Sequence, residues 1–161
     1  MALSTGDILP EFVAVQDNGR PYEPTPGRWR VLFFFPKTVT THCQLQARQY
    51  QARLAGFEDL NVDVVGINGD PRQDQLHFRS TCKLGYPLVN DGDQEISRAF
   101  DLLDNPWPGE AVGRPKRETF LVDPRGVIRR HWTGVDPAQD AQVVLEAVQD
   151  IQQGETELLL A

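Results

Sequence analysis

The stretch from Val31 to Cys43, Val-Leu-Phe-Phe-Phe-Pro-Lys-Thr-Val-Thr-Thr-His-Cys, constrains the fold of this chain more than any other. Val31–Phe35 is an unbroken apolar run. A strand with one wet face would alternate, so an unbroken run suits a strand buried on both faces of a parallel or mixed sheet. Pro36 stops the run, because proline has no N–H to give to a sheet ladder. Thr40 and Thr41 then offer hydroxyls able to cap a helix start. Cys43 falls two or three residues past that cap. A sulfur there faces unpaired backbone N–H groups and the positive end of the helix dipole. Those conditions favour thiolate over thiol. Strand, loop, threonine and first-turn cysteine together make a site for nucleophilic sulfur chemistry.

The rest of the chain supplies a sheet and its covering helices. Phe12–Val15 and Arg20–Tyr22 flank Asp17-Asn18-Gly19, a strong hairpin signal. The pattern predicts a helix over residues 41–57 with Leu45, Ala47, Tyr50, Leu54 and Phe57 on its apolar side and Gly56 weakening its last turn. Val62–Asn68 reads as a second inner strand, and strand–helix–strand implies a right-handed crossover with the two strands parallel. A further helix is expected from Asp70 as N-cap, with Pro71 at its first position and Gln73 completing a capping box. It runs to about Lys83, with Gly85 able to end it and Cys82 in its last turn. Tyr86–Asn90 is extended and Gln94–Phe100 a short helix. Residues 101–114, with Pro106, Trp107, Pro108 and two glycines, read as an ordered loop over the site. Thr119–Val122 and Val127–Trp132 flank the turn Asp123-Pro-Arg-Gly126 and should pair antiparallel. Pro137–Gln152 is the final helix, and the apolar tail Leu158–Leu160 packs back or mediates contacts.

At 161 residues the chain, 1–161, is expected to be one domain with one good core. A net charge of −7 argues against a nucleic-acid or anionic-membrane partner, which would need a basic face. No apolar stretch is long enough to span a bilayer. The start, Met1 to Asp7, lacks the basic segment and apolar core of a signal peptide. With only two cysteines, the expected setting is the cytosol, where a cysteine pair is more often redox-active than a structural staple.

The segment Phe35-Pro-Lys-Thr-Val-Thr-Thr-His-Cys43 resembles the active-site loop of the peroxiredoxins, which place a proline seven and a threonine three residues before the peroxide-attacking cysteine. Pro36 and Thr40 match both positions. The likeness is to the peroxiredoxin Q type, also called bacterioferritin comigratory protein, and runs from Gly6-Asp7, Pro10 and Phe12 to the last helix. The chain departs from the family at His42, where glycine is common, and at Arg48, five after Cys43, where many members carry a second cysteine. The patterned order with its N-terminal β-hairpin, joined to this resemblance, implies an α/β thioredoxin fold: a central mixed β-sheet flanked by helices. The resemblance also implies a monomer, although the apolar tail and the Trp107 loop leave a dimer open.

Each candidate residue has a plain structural reading beside the functional one. Cys43 is a peroxidatic nucleophile whose thiolate attacks one peroxide oxygen to give sulfenic acid, or else a buried structural cysteine. Its place after a capped loop, outside any apolar run, favours the first. Thr40 can accept from the peroxide and donate toward sulfur, or serve only as N-cap; Thr41 could take the cap instead. Arg117, in Arg-Glu-Thr-Phe-Leu-Val-Asp, resembles the family arginine that stabilises the thiolate and the charge developing on peroxide oxygen. Arg114 and Lys116 are near enough in sequence to compete for that role. Pro36 shapes and shields the pocket. Cys82, thirty-nine positions after Cys43, corresponds by resemblance to a resolving cysteine that forms an intramolecular disulfide. That bond needs Cα atoms within about 7 Å, hence local unwinding of one helix end. The competing reading is a single-cysteine enzyme recycled by an outside thiol. His42 is expected to face solvent, and His77 and His131 are isolated, with no metal-ligand spacing. Neither a metal nor an organic cofactor is expected.

The leading function is a thiol-dependent peroxidase acting on hydrogen peroxide and organic hydroperoxides, with a thioredoxin-like dithiol as reductant. A disulfide oxidoreductase on the same fold is disfavoured by the absence of a Cys-x-x-Cys pair. A redox sensor or scaffold without turnover has no need of Thr40 and Arg117 beside Cys43.

Overall fold

The structure is a computed structural model that describes residues 3–160; Met1 and Ala2, the start of the stretch read as lacking a signal peptide, lie outside them, as does Ala161. In chain order the elements are β1 (Val15–Gln16), β2 (Trp29–Phe34), α1 (Thr41–Ala52), α2 (Leu54–Asp59), β3 (Val62–Asn68) and α3 (Arg72–Cys82). There follow β4 (Leu88–Asn90), α4 (Glu95–Ala99), β5 (Thr119–Val122), β6 (Ile128–Trp132) and α5 (Asp140–Leu160). They build a six-stranded sheet of order β1-β4-β3-β2-β5-β6. β2, β3 and β4 run parallel, while β1, β5 and β6 run antiparallel to their neighbours.

The aromatic run sits near the middle of that sheet because both its faces are covered. Val31, Phe33 and Phe35 point into one core with α1, α2, α3 and α5. Leu32 and Phe34 point into a second core with Ile96, Phe100 and Phe120. Phe33 stacks on Tyr50 with ring centroids 4.5 Å apart, and Phe35 on Phe78 at 5.2 Å. Truncating one such ring to alanine costs about 3–5 kcal/mol, since the close-packed surroundings collapse only in part. Gly66 on β3 is required by this packing: a Cβ there would come within 2.9 Å of both Phe33 and Leu88.

The Asn18-Gly19 turn closes as expected, with Gln16 N donating to Arg20 O, although only Val15–Gln16 forms regular strand and pairs with β4. β5 and β6 form the expected antiparallel hairpin.

Several element boundaries differ from the sequence expectation. The helix expected over 41–57 breaks at Arg53, not near Gly56, and restarts as α2. α3 begins after Pro71, which carries no side-chain cap, so Asp70 and Gln73 make no capping box. Asp70 is drawn away by longer-range partners described below. α3 ends on Lys83 in the left-handed conformation, two residues before Gly85. The last helix starts at Asp140 and continues to Leu160, so Leu158–Leu160 extend it, exposed, and do not pack back.

Candidate active site

Cys43 is placed by the crossover from β2 to α1. After β2 the chain turns at Pro36, and Thr38 is buried against Asp70, whose Oδ2 accepts from Thr38 N at 2.7 Å and Thr38 Oγ1 at 2.9 Å. This joins the segment before α1 to the segment before α3. Thr40 is the N-cap of α1: its Oγ1 accepts from Cys43 N at 3.2 Å and donates to Lys37 O at 3.3 Å. The alternative in which Thr41 caps the helix is thereby removed. Cys43 occupies the first turn of α1 with its side chain turned inward, 1 % exposed, while His42 is exposed.

Arg117 comes from the segment entering β5, the neighbour of β2. Its Nη2 donates to Cys43 Sγ at 3.3 Å and its Nη1 to Gln46 Oε1 at 2.6 Å. Its competitors lie elsewhere. Lys116 is exposed. Arg114 donates to Asp70 Oδ1 at 2.9 Å, Pro36 O at 3.0 Å and Glu110 Oε2 at 2.6 Å. Arg114 thus holds the 101–114 loop against Pro36, with Trp107 packed on both Lys37 and Arg114. The loop is closed at its base by Lys116 N to Leu102 O and Asp104 N to Arg114 O.

Gln46 was not singled out from the sequence. It is fully buried, and its Nε2 donates to Asp140 Oδ2 at 3.1 Å. The same oxygen accepts from Tyr50 Oη at 2.6 Å and Thr119 Oγ1 at 2.8 Å. Burial pushes the Asp140 carboxyl above its ordinary range, against the pull of these three donors and of Arg117. A sequence signal for Gln46 existed: three residues after Cys43, it shares the face of α1 that buries Ala47 and Tyr50. Asp140, ninety-four residues from Gln46, had none.

Cys82 ends α3, and both cysteines are free thiols within one packed cluster. Burial pushes the Cys82 thiol up, while the Arg48 guanidinium draws it partly back. Arg48 Nη2 also donates to Thr81 O at 3.1 Å, tying α1 to the end of α3. A groove of about 450 Å³ lined by Thr38, Val39, Gln44, Gln73, His77 and Thr81 runs between those two helices. His131 is not isolated: it stacks on Phe120, and its Nε2 lies 2.6 Å from Glu118 Oε1.

The chain that carries this first-turn sulfur and its guanidinium is similar to known proteins over most of its length. The profile of the AhpC/TSA family matches residues 5–131. The peroxiredoxin Bcp of Xanthomonas campestris is 32 % identical over 123 residues, covering 76 % of this chain and 77 % of that protein. The peroxiredoxin Bcp of Bacillus subtilis is 24 % identical over 155 residues, covering 94 % and 98 %. A solved structure of Xanthomonas campestris peroxiredoxin Q superposes with a TM-score of 0.82 at 26 % identity, covering 91 % of this chain and 97 % of that one, which fits the thioredoxin-fold expectation. The chain belongs to the AhpC/TSA family, among the peroxiredoxins of the Bcp or Q type.

Proposed function

We propose that this thiol-dependent peroxidase attacks peroxide with Cys43 and closes a disulfide to Cys82. The observation that carries the reading is Arg117 Nη2 at 3.3 Å from Cys43 Sγ, in the first turn of a helix capped by Thr40. The guanidinium and the helix N-terminus both stabilise negative charge at sulfur. As the thiolate attacks one oxygen, the O–O bond breaks and charge moves to the departing oxygen, which leaves as water or an alcohol once protonated. Arg117 is placed to stabilise that charge, and donors fixed in a dry site act most strongly because they need no reorganisation. The Thr40 hydroxyl, at the same turn, can accept from the peroxide and hold it in line. Pro36, half-buried and covered by the Arg114 loop, keeps water from the sulfur.

In the second step the Cys82 thiol attacks the sulfenic acid of Cys43, forming the disulfide and releasing water. Both sulfurs are buried and each belongs to a helix, so closure requires an end of α1 or α3 to unwind. A thioredoxin-like dithiol then reduces the disulfide by exchange. The substrates are hydrogen peroxide and organic hydroperoxides, the working unit is a monomer, and the setting is the cytosol, whose reducing poise returns Cys43 to a thiol for each cycle.

Intact mass after one equivalent of peroxide tests this with wild type, Cys43→Ser and Cys82→Ser. Wild type should lose two hydrogens rapidly, Cys82→Ser should gain oxygen, and Cys43→Ser should scarcely react. An unchanged rate in Cys43→Ser would remove the assignment. Oxygen gain without a disulfide in wild type would replace Cys82 by an external thiol, and a slow wild-type reaction would indicate a sensor without turnover.

A further inference from the structure

The hydrogen bonds behind Cys43 form a chain with one direction. Arg117 can only donate, and a carboxylate can only accept. Gln46 stands between them, with its oxygen toward Arg117 and its nitrogen toward Asp140. A side-chain amide has two nearly isosteric ends, and the reverse orientation would set its NH2 against the guanidinium and its oxygen against the carboxylate. Both contacts would then be unmade inside a site where Gln46 is 0 % and Asp140 4 % exposed. Unpaired buried polar groups of this kind are costly.

We infer that Asp140 is a positioning residue for peroxide reduction: its carboxylate fixes the amide of Gln46 so that the amide oxygen faces Arg117 and aims the guanidinium at Cys43 Sγ. Tyr50 and Thr119 complete the device. Their hydroxyls donate to the same Asp140 Oδ2, so the acceptor itself is held in place from α1 and β5. The neutral amide has a second consequence. Among the described residues no carboxylate lies within salt-bridge distance of Arg117, whereas Arg114 is paired with both Asp70 and Glu110. Gln46 passes on orientation without neutralising the guanidinium, whose charge stays directed at the sulfur and the departing oxygen.

The inference rests on the role proposed for Cys43 and Arg117, and a mutant cycle separates the two. The single-turnover rate with hydrogen peroxide is measured by stopped flow for wild type, Asp140→Asn, Arg117→Met and the double variant, with thermal melting recorded for each. Asp140→Asn should slow the reaction about tenfold, because the asparagine amide no longer dictates which end of Gln46 faces it. In the Arg117→Met background the same substitution should change the rate less than about twofold, since coupled residues are not additive. A tenfold loss that persists without Arg117, or no loss from Asp140→Asn in the presence of Arg117, overturns the inference. If Arg117→Met alone leaves the rate unchanged, the proposed function itself fails. Should Asp140→Asn not fold, Thr119→Val, which removes one of the two hydroxyls holding Asp140 Oδ2, enters the same cycle. A rate loss in the presence of Arg117 that disappears in the Arg117→Met background supports the inference, and no loss, or one that persists without Arg117, overturns it.

Discussion

The two cysteines are both buried and both have an arginine nearby, yet they sit at opposite ends of helices. Cys43 lies in the first turn of α1, with its N–H on Thr40 and its sulfur on Arg117. Cys82 closes α3, where the helix dipole is negative, and burial pushes its thiol up. A helix N-terminus favours negative charge and a C-terminus opposes it, so position adds to what neighbouring groups do at a buried sulfur. A nucleophile for peroxide belongs at the first kind of end. In the proposed cycle the second kind of end holds the thiol that attacks sulfenic acid and releases water.

Exchanging which sulfur is present should break the symmetry most strongly. Cys43→Ser is expected to reduce the peroxide reaction by three orders of magnitude or more, roughly the loss seen when a nucleophile is removed from other covalent enzymes. Cys82→Ser should leave the first oxidation nearly unaltered and abolish turnover with a dithiol donor. Stopped-flow oxidation and steady-state assays read the two separately, and equal losses in both variants would refute the division of labour. Next in size is Arg117→Met, which removes the donor on Sγ and should lower the single-turnover rate about 10²- to 10³-fold, as for loss of one oxyanion donor. Thr40→Val should lower that rate about tenfold and also cost about 1 kcal/mol of stability through the lost cap, visible by denaturant titration. A stability loss with an unchanged rate would reduce Thr40 to a cap.

On the Cys82 side, Arg48→Met removes the cation that partly offsets burial of the thiol. Disulfide closure after peroxide should slow by about twofold to threefold, measured by quenched-flow mass analysis, while Cys43 oxidation does not change. The smallest effect is in pH dependence. Burial opposes charge on Asp70, but the Thr38 N–H and hydroxyl with the Arg114 guanidinium hold its carboxyl below the ordinary 3.8. A carboxyl lowered on folding stabilises the protein above its unfolded value, and that contribution is lost as pH falls through the folded value. Asp140 is shifted upward, so its contribution has the opposite sign: it is present at low pH and lost as pH rises past 3.8 and through the raised value. Asp70→Asn should therefore flatten the fall in melting temperature below about pH 4. An unaltered acid limb would show that the Thr38 clamp contributes nothing there.

Much of the site was legible locally. The run Val31–Phe35, the stop at Pro36 and the cap at Thr40 all follow from neighbouring residues, and the structure places Cys43 in the turn they imply. The Asp123–Gly126 turn and its two strands were equally local. Helix ends were less so. Asp70 followed by proline carries every mark of a cap, but three longer-range donors compete for its carboxylate and win. Leu158–Leu160 showed an apolar tail without revealing that α5 would extend through it.

By itself the amino-acid order determined the strand buried on both faces and the capped turn that carries Cys43, because periodicity, caps and turns depend on residues a few positions apart. Only the tertiary structure decided between Arg114 and Arg117, drew Asp70 to Thr38, and set Gln46 between Arg117 and Asp140. Those pairings link segments up to ninety-four residues apart. They depend on which strands become neighbours and on which buried donors find acceptors, a condition that the whole packed chain must meet at once.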